Sequence, residues 1–306
     1  MRKVISATFA AVILLASVTV AKTRENSAPS QESRAQELIE QARAALGGDK
    51  LKSIQSLSVS GKYRRILQPE MPEIAGEMEI DFLLPDKYLK TETMNLPVGD
   101  GYITRIDGIN GDQAFRDSKT SGGGGMVIIR RSGSDGPEGQ AAEARALRAE
   151  FARNLLSFIL AAPPSFPVEF SYVGEAEAED GRADVLDVKG ADGFAARLFL
   201  DKQSHRPLML GYRTRQPRIG VMTRRIEGAT REDAEKAAHE AEKKSQAQQQ
   251  EAKEVEVQVY LSEYRSVDGV SLPHQITRSI DGKVSEEWEI KKFKINPPLK
   301  AERFKK

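Results

Sequence analysis

Residues 254–296 read EVEVQVYLSEYRSVDGVSLPHQITRSIDGKVSEEWEIKKFKIN, from Glu254 to Asn296. Val255, Val257, Val259 and Leu261 alternate with Glu256, Gln258 and Tyr260, the period-two pattern of a strand with one buried face. Asp268-Gly269 and Asp281-Gly282 supply the positive φ angles that short hairpin turns require. Three strands joined by two such turns form a meander, and its apolar face has to be laid on something.

Working outward, the same alternation recurs in both directions. Upstream, Val168 to Gly174, Ala183 to Val188, Phe194 to Leu200 and Pro207 to Thr214 read as strands, with Asp180-Gly181 and Asp192-Gly193 as turns. Phe194, Ala196, Leu198 and Leu200 form an apolar face that Leu208, Leu210 and Tyr212 answer across the next turn. Nearer the N-terminus, Leu57, Val59, Gly61 and Tyr63 share a face, as do Met78, Ile80, Phe82 and Leu84. Pro85-Asp86 turns the chain into Lys87 to Met94, which carries Tyr88 and alternating charges, and an Asp107-Gly108 turn is expected between Tyr102–Arg105 and Gln113–Arg116. Connections this short favour antiparallel neighbours over βαβ units.

Three helices interrupt the strands. Ser33, with Gln36 three residues later, begins one whose stripe is Ala35, Leu38, Ile39, Ala42 and Leu46, and Gly47 stops it. A mobile glycine- and serine-rich loop is expected over 118–140, then a helix over 141–160. That helix presents Leu147, Phe151, Leu155, Phe158 and Ile159 on one side, is apolar almost all round from Leu155 to Ala162, and is ended by Pro163-Pro164. A helix so apolar at one end inserts into a concave surface, as core, plug or lid. A third, charged helix is expected over 229–254, with alanines as its only apolar stripe.

The chain has 306 residues and no cysteine, so disulfides and thiolate metal sites are excluded. A net charge of +1 argues against a nucleic-acid partner. Residues 1–21 have the form of a cleavable signal peptide: Arg2 and Lys3, the apolar run Thr8 to Val20, then Thr19 and Ala21 before the cut. Residues 22–32 then form a flexible leader and 33–306 a single domain, exported to the periplasm as a monomer without lipid modification. His205, His239 and His274 have no second ligand at metal spacing, and no Gly-x-Ser-x-Gly elbow or buried carboxylate pair is legible, so neither an enzyme nor a cofactor is expected.

Four local motifs, in order, carry a resemblance. Ala45-Leu46-Gly47-Gly48 with Lys50-Leu51 and Ile54-Gln55-Ser56-Leu57 resembles a helix-to-strand junction of the bacterial LolA/LolB-like lipoprotein-carrier superfamily. Phe82-Leu83-Leu84-Pro85-Asp86-Lys87-Tyr88 resembles its crossing between early strands, and Ser262-Glu263-Tyr264-Arg265 with Val267 to Pro273 its late hairpin. Phe293-Lys294-Ile295-Asn296, then Phe304, resembles its closing strand and tail. The resemblance implies an α+β fold: an incomplete antiparallel β-barrel, or half-barrel, covered by helices, with an apolar cavity for lipid or lipoprotein acyl chains. Strand faces then give Phe82, Leu147, Phe151, Leu155, Leu198, Leu210 and Trp288 as cavity-wall residues. On that reading Phe151→Asp abolishes lipid uptake more than it harms folding. A competing reading is a non-catalytic envelope module whose barrel is filled by its own side chains and which docks a protein partner. A dry pocket above about 300 Å³ favours the carrier, whereas a core at ordinary density favours the module.

Overall fold

The computed structural model describes residues 30–66, 73–95, 101–121, 137–178, 181–216 and 253–305. The expected signal segment 1–21 and charged helix 229–254 lie outside the described residues, except for Lys253 and Glu254, which begin a strand. The elements are α1 (Gln31–Leu46), α2 (Asp49–Lys52), β1 (Ser56–Arg65), β2 (Ile74–Leu83), β3 (Lys87–Asn95), β4 (Tyr102–Asn110) and β5 (Gln113–Ser121). Then come α3 (Pro137–Ile159), β6 (Val168–Ala178), β7 (Gly181–Gly190), β8 (Ala195–Asp201), β9 (Pro207–Gln216), β10 (Lys253–Val267), β11 (Val270–Ile280) and β12 (Lys283–Ile295).

All twelve strands lie in one antiparallel sheet of order β5-β4-β3-β2-β1-β12-β11-β10-β9-β8-β7-β6. Two meanders are thus joined where the last strand pairs with the first, Val59 opposite Phe293 and Tyr63 opposite Trp288. The edges are β5 and β6, so the sheet is an open barrel, as the resemblance implies. The chain crosses from one edge to the other through α3, which touches β4 and β5 on one side and β9 and β11 on the other. The same elements put the helix inside the curve of the sheet, while α1 packs on β6 and β11.

The 254–296 meander forms as its alternation predicts. Val255, Val257 and Leu261 are buried while Tyr260 is exposed, and Asp268, Gly269, Asp281 and Gly282 all have positive φ. Both short turns thereby match the right-handed twist of their strands. The family-like motifs converge on this end of the molecule. Gly47, at φ 143°, stands on the β10–β11 turn, where a Cβ would lie 3.0 Å from the Gly269 carbonyl oxygen. Asn296 accepts from the Gln55 and Ser56 amides at 2.7 and 3.2 Å, and donates to the Ser53 carbonyl. These residues act as joints between elements.

Several sequence expectations need correction. Ser30, not Ser33, caps α1, its side chain accepting from the Ser33 amide at 3.1 Å. The β4–β5 turn is at Gly111-Asp112 rather than Asp107-Gly108. Asp107 is instead a buried strand residue held by Arg105 and Arg116, and Gly108 leaves room for the Phe115 ring, which a Cβ would meet at 2.2 Å. Residues 118–121 extend β5 and α3 begins at Pro137, so the expected loop is shorter at both ends; a proline is well placed in a first helical turn because its missing N–H would have no partner there. α3 stops before the prolines: Leu160 takes φ 50°, and the Ala161 amide reaches back to the Leu155 carbonyl at 3.4 Å, a left-handed C-terminal cap. Leu208 sits at a register shift and is 38% exposed, so Leu200 faces Pro207 instead.

Gly61 marks a bulge between β1 and β12, and its missing side chain is required. A Cβ there would lie 2.2 Å from the Glu289 carbonyl oxygen and 2.9 Å from the Ile290 Cα. Gly61→Ala is therefore expected to destabilise the protein by about 1–3 kcal/mol through forced backbone separation, read as a lowered urea midpoint with an unchanged m-value.

Candidate functional site: the hollow of the sheet and its helix

Register places the concave face residue by residue. Phe82 stands opposite Leu57 and Tyr88, Ile80 opposite Val59 and Lys90, and Met78 opposite Gly61 and Glu92. Across β3 and β4, Tyr88 faces Ile109, Lys90 faces Asp107, and Glu92 faces Arg105. On the other side, Arg65 faces Glu286, and Glu286 faces Arg278. One end of the hollow is thus aromatic and aliphatic, and the other is charged.

The apolar end is filled by α3. Leu147, Phe151, Ala152, Leu155, Leu156, Phe158 and Ile159 are at most 3% exposed. Phe151 stacks on Tyr88 at 5.4 Å and on Phe82 at 6.0 Å, while Phe158 meets Phe82 and Phe293 edge-on at 6.1 and 5.7 Å. All seven expected wall residues are buried in one core: Phe82, Leu147, Phe151, Leu155 and their partners under the helix, Leu198 and Leu210 paired across β8 and β9, and Trp288 on β12. All seven are therefore packed against other side chains of this core.

Polar contacts hold the helix in place. The Lys90 ammonium lies 3.0 Å from Glu150 of α3 and 2.9 Å from Glu92. Asn154 donates to the Tyr88 hydroxyl at 3.0 Å, and the Arg43 guanidinium of α1 donates twice to the Leu160 carbonyl at 3.2 and 2.9 Å. Arg148 donates to the Asp112 carbonyl at 2.7 Å. Behind Lys90, Arg65 reaches both Glu92 and Glu286 at 3.1 Å, and Trp288 donates its indole N–H to Glu286 at 2.6 Å. The sequence offered one signal for this cluster. Tyr88, Lys90, Glu92 and Met94 share the parity that faces Phe82, Ile80 and Met78, so their charges had to fall on the inner face.

Burial alone would push these carboxyls up, but the cations win. Glu150 sits at about 2 because Lys90, and behind it Arg105, outweigh its desolvation. Glu92 is driven well below the carboxylate range by Lys90 and Arg65. Groups depressed in the folded state contribute stability that is present above their unfolded value and lost as pH falls through the folded one. Stability is thus expected to decline from about pH 4.5 toward pH 2, by about 1–3 kcal/mol once the solvent exposure of Glu150 is discounted. Glu150→Gln should flatten part of that decline, as measured by urea midpoints at pH 5 and pH 3.

Beside Phe151 the molecule has a recess of about 250 Å³, lined by Ile109, Asp112, Arg148, Phe151, Phe166 and Asp192 among others. It lies at the open seam, between the β4–β5 turn, α3 and the β7–β8 connection, and reaches the Phe151 ring. A second, shallower groove of about 430 Å³ lies between Lys62, Glu77, Thr91 and Lys291. The first is just below the usual range for a small-molecule site.

No family model and no curated protein matches the sequence. Among solved structures, the chain is similar to a LolA superfamily protein from Nitrosomonas europaea, at 11% identity over 89% of this chain and 97% of that one, with a TM-score of 0.45. It is also similar to an outer membrane lipoprotein-sorting protein domain from Vibrio parahaemolyticus, at 12% identity over 88% and 97%, with a TM-score of 0.46. A DUF1329 family protein from Desulfovibrio piger matches at 9% identity over 90% and 98%, with a TM-score of 0.43. These likenesses run along most of each chain.

Proposed function

We propose that the protein is a periplasmic carrier of lipid or lipoprotein acyl chains, in which α3 is the exchangeable occupant of the hollow. The observation that carries this reading is the end of α3. From Phe151 to Leu160 all residues but Arg153 and Asn154 are buried, on every side of the helix, between the two halves of an open sheet. Such a segment occupies the volume that an acyl chain would take. The recess ending on Phe151 supplies a way in, and the polar contacts of Glu150, Asn154 and Leu160 are a limited set of tethers. The periplasmic location rests on the signal-like pattern of residues 1–21.

Magnitudes restrict the cargo. Burying a chain of roughly a dozen methylenes yields about 10 kcal/mol at ~0.8 kcal/mol each. Displacing Phe151, Leu155, Leu156, Phe158 and Ile159 into water costs about 7–15 kcal/mol at 1.5–3 kcal/mol per side chain. A single chain roughly balances the helix it replaces, so cargo with two or more chains is favoured. Mass spectrometry of organic extracts from the purified mature protein is expected to find acyl-bearing molecules in stoichiometric amount; a clean extract, together with no uptake of a diacyl lipid from vesicles, rejects the carrier.

The second reading, a non-catalytic envelope module that docks a protein partner, is favoured by the filling itself, since α3 already closes the apolar end of the hollow at core-like burial. It predicts that α3 stays in place whatever lipid is offered.

A further inference from the structure

The charged end of the hollow contains two arginines that the tethering network does not use. Arg153 projects from α3, and its guanidinium carbon lies 3.8 Å from the centre of the Tyr212 ring and 5.5 Å from that of Phe194. Arg278 of β11 lies on the same phenol, its carbon 6.0 Å from the ring centre and its Nη2 donating to the Tyr212 hydroxyl at 2.9 Å. The Nε of each is buried and has no hydrogen-bond acceptor, and neither side chain makes an ion pair among the described residues. Among the described residues, the two nearest carboxylates are committed elsewhere. Glu286, opposite Arg278 in register, is held by Arg65 and the Trp288 indole. Glu150, one turn before Arg153, is held by Lys90.

Two partly buried guanidinium groups converging on one ring without a directly paired anion are costly, because ring contacts and one phenol hydrogen bond offset desolvation less than a carboxylate would, and the two charges repel. Burial pushes the Arg153 guanidinium down, and Arg278 adds to that. An anionic group of bidentate geometry would satisfy the free N–H donors and cancel the repulsion, and guanidinium forks match phosphate and carboxylate. We infer that Arg153, Arg278 and Tyr212 form a receptor for the phosphoryl or carboxylate headgroup of the bound amphiphile. The inference rests on the carrier reading, with the acyl chains in the hollow and the headgroup at its charged end. Because Arg153 belongs to α3, headgroup capture would also restrain the helix as it shifts.

The test is calorimetric titration of the full mature chain with dodecyl phosphate and with dodecanol, both below their micellar concentrations, and with inorganic phosphate alone. Wild-type protein is expected to bind dodecyl phosphate at least tenfold tighter than dodecanol. Arg153→Gln and Arg278→Gln should each remove most of that difference while leaving dodecanol binding unchanged. Each variant should lower the thermal midpoint of the unliganded protein only slightly, since Arg153 loses ring contacts and Arg278 a single hydrogen bond to Tyr212 but neither loses an ion pair among the described residues; a large fall would mean that these arginines are structural, and the inference would fail. Equal affinity for the two amphiphiles in wild type overturns the headgroup site and leaves the carrier standing. Binding of inorganic phosphate alone, lost in Arg278→Gln, keeps the anion site and rejects the carrier. No binding of any of the three rejects both.

Discussion

Lys90→Met is expected to destabilise the protein by about 3–5 kcal/mol, the usual cost of deleting one partner of a buried ion pair. Lys90 is the only group that joins Glu92 of the sheet to Glu150 of the helix among the described residues, at 2.9 and 3.0 Å. Without it, Glu92 retains Arg65 at 3.1 Å, but Glu150 loses its ion-pair partner. The loss should therefore fall toward the lower end of that range and should appear first in α3. Chemical denaturation gives the total. Emission from Trp288, the only tryptophan, gives the local part, since the Lys90 ammonium lies 5.2 Å from the centre of its ring. The double variant Lys90→Met/Glu150→Leu should recover much of the loss, because replacing both members of a buried pair by apolar groups is close to neutral.

Phe151→Asp is expected to cost about 5 kcal/mol or more and to abolish folding and lipid uptake together. Truncating a buried phenylalanine costs about 3–5 kcal/mol, and the new carboxylate would be buried against Phe82 and Tyr88 without a cation. The change is comparable to the whole stability of a typical domain. As a cavity-wall residue facing ligand, Phe151 would, when changed to aspartate, lose lipid uptake more than folding. In the structure it is 2% exposed and stacked on two rings, so the functional role of the helix has to be tested by milder means. Phe151→Leu, costing less than about 1.5–2 kcal/mol as a near volume-conserving apolar exchange, is the appropriate variant for uptake assays.

Much of the architecture was legible because it depends on local rules. Alternation marked the strands, and Asp-Gly pairs at 268–269 and 281–282 marked the turns, each with the positive φ the reading required. The reading failed at Asp107-Gly108 because an identical dipeptide was serving packing: the aspartate paired with two arginines inside the sheet, and the glycine made room for Phe115. Local pattern cannot separate these uses, since Arg116 and Phe115 lie on the next strand. The seven residues expected to form the wall were recognisable as apolar, and all are buried in one core. Whether they enclose space or touch one another depends on sheet curvature and on how deeply α3 inserts, neither of which is encoded in any one segment. The inner charges were the larger omission. Lys90, Glu92, Glu150 and Glu286 are spread over β3, α3 and β12, so only the assembled register brings them together.

On the carrier reading α3 and an acyl chain compete for one volume, and the sharpest check is amide hydrogen exchange over residues 151–160 during titration with a diacyl phospholipid. The carrier account predicts that these amides, protected in the free protein, exchange faster as lipid binds, while the β1–β2 and β1–β12 amides keep their protection. Saturating lipid that leaves 151–160 as protected as before, or no binding at all, would contradict it and leave the filled barrel as a docking module.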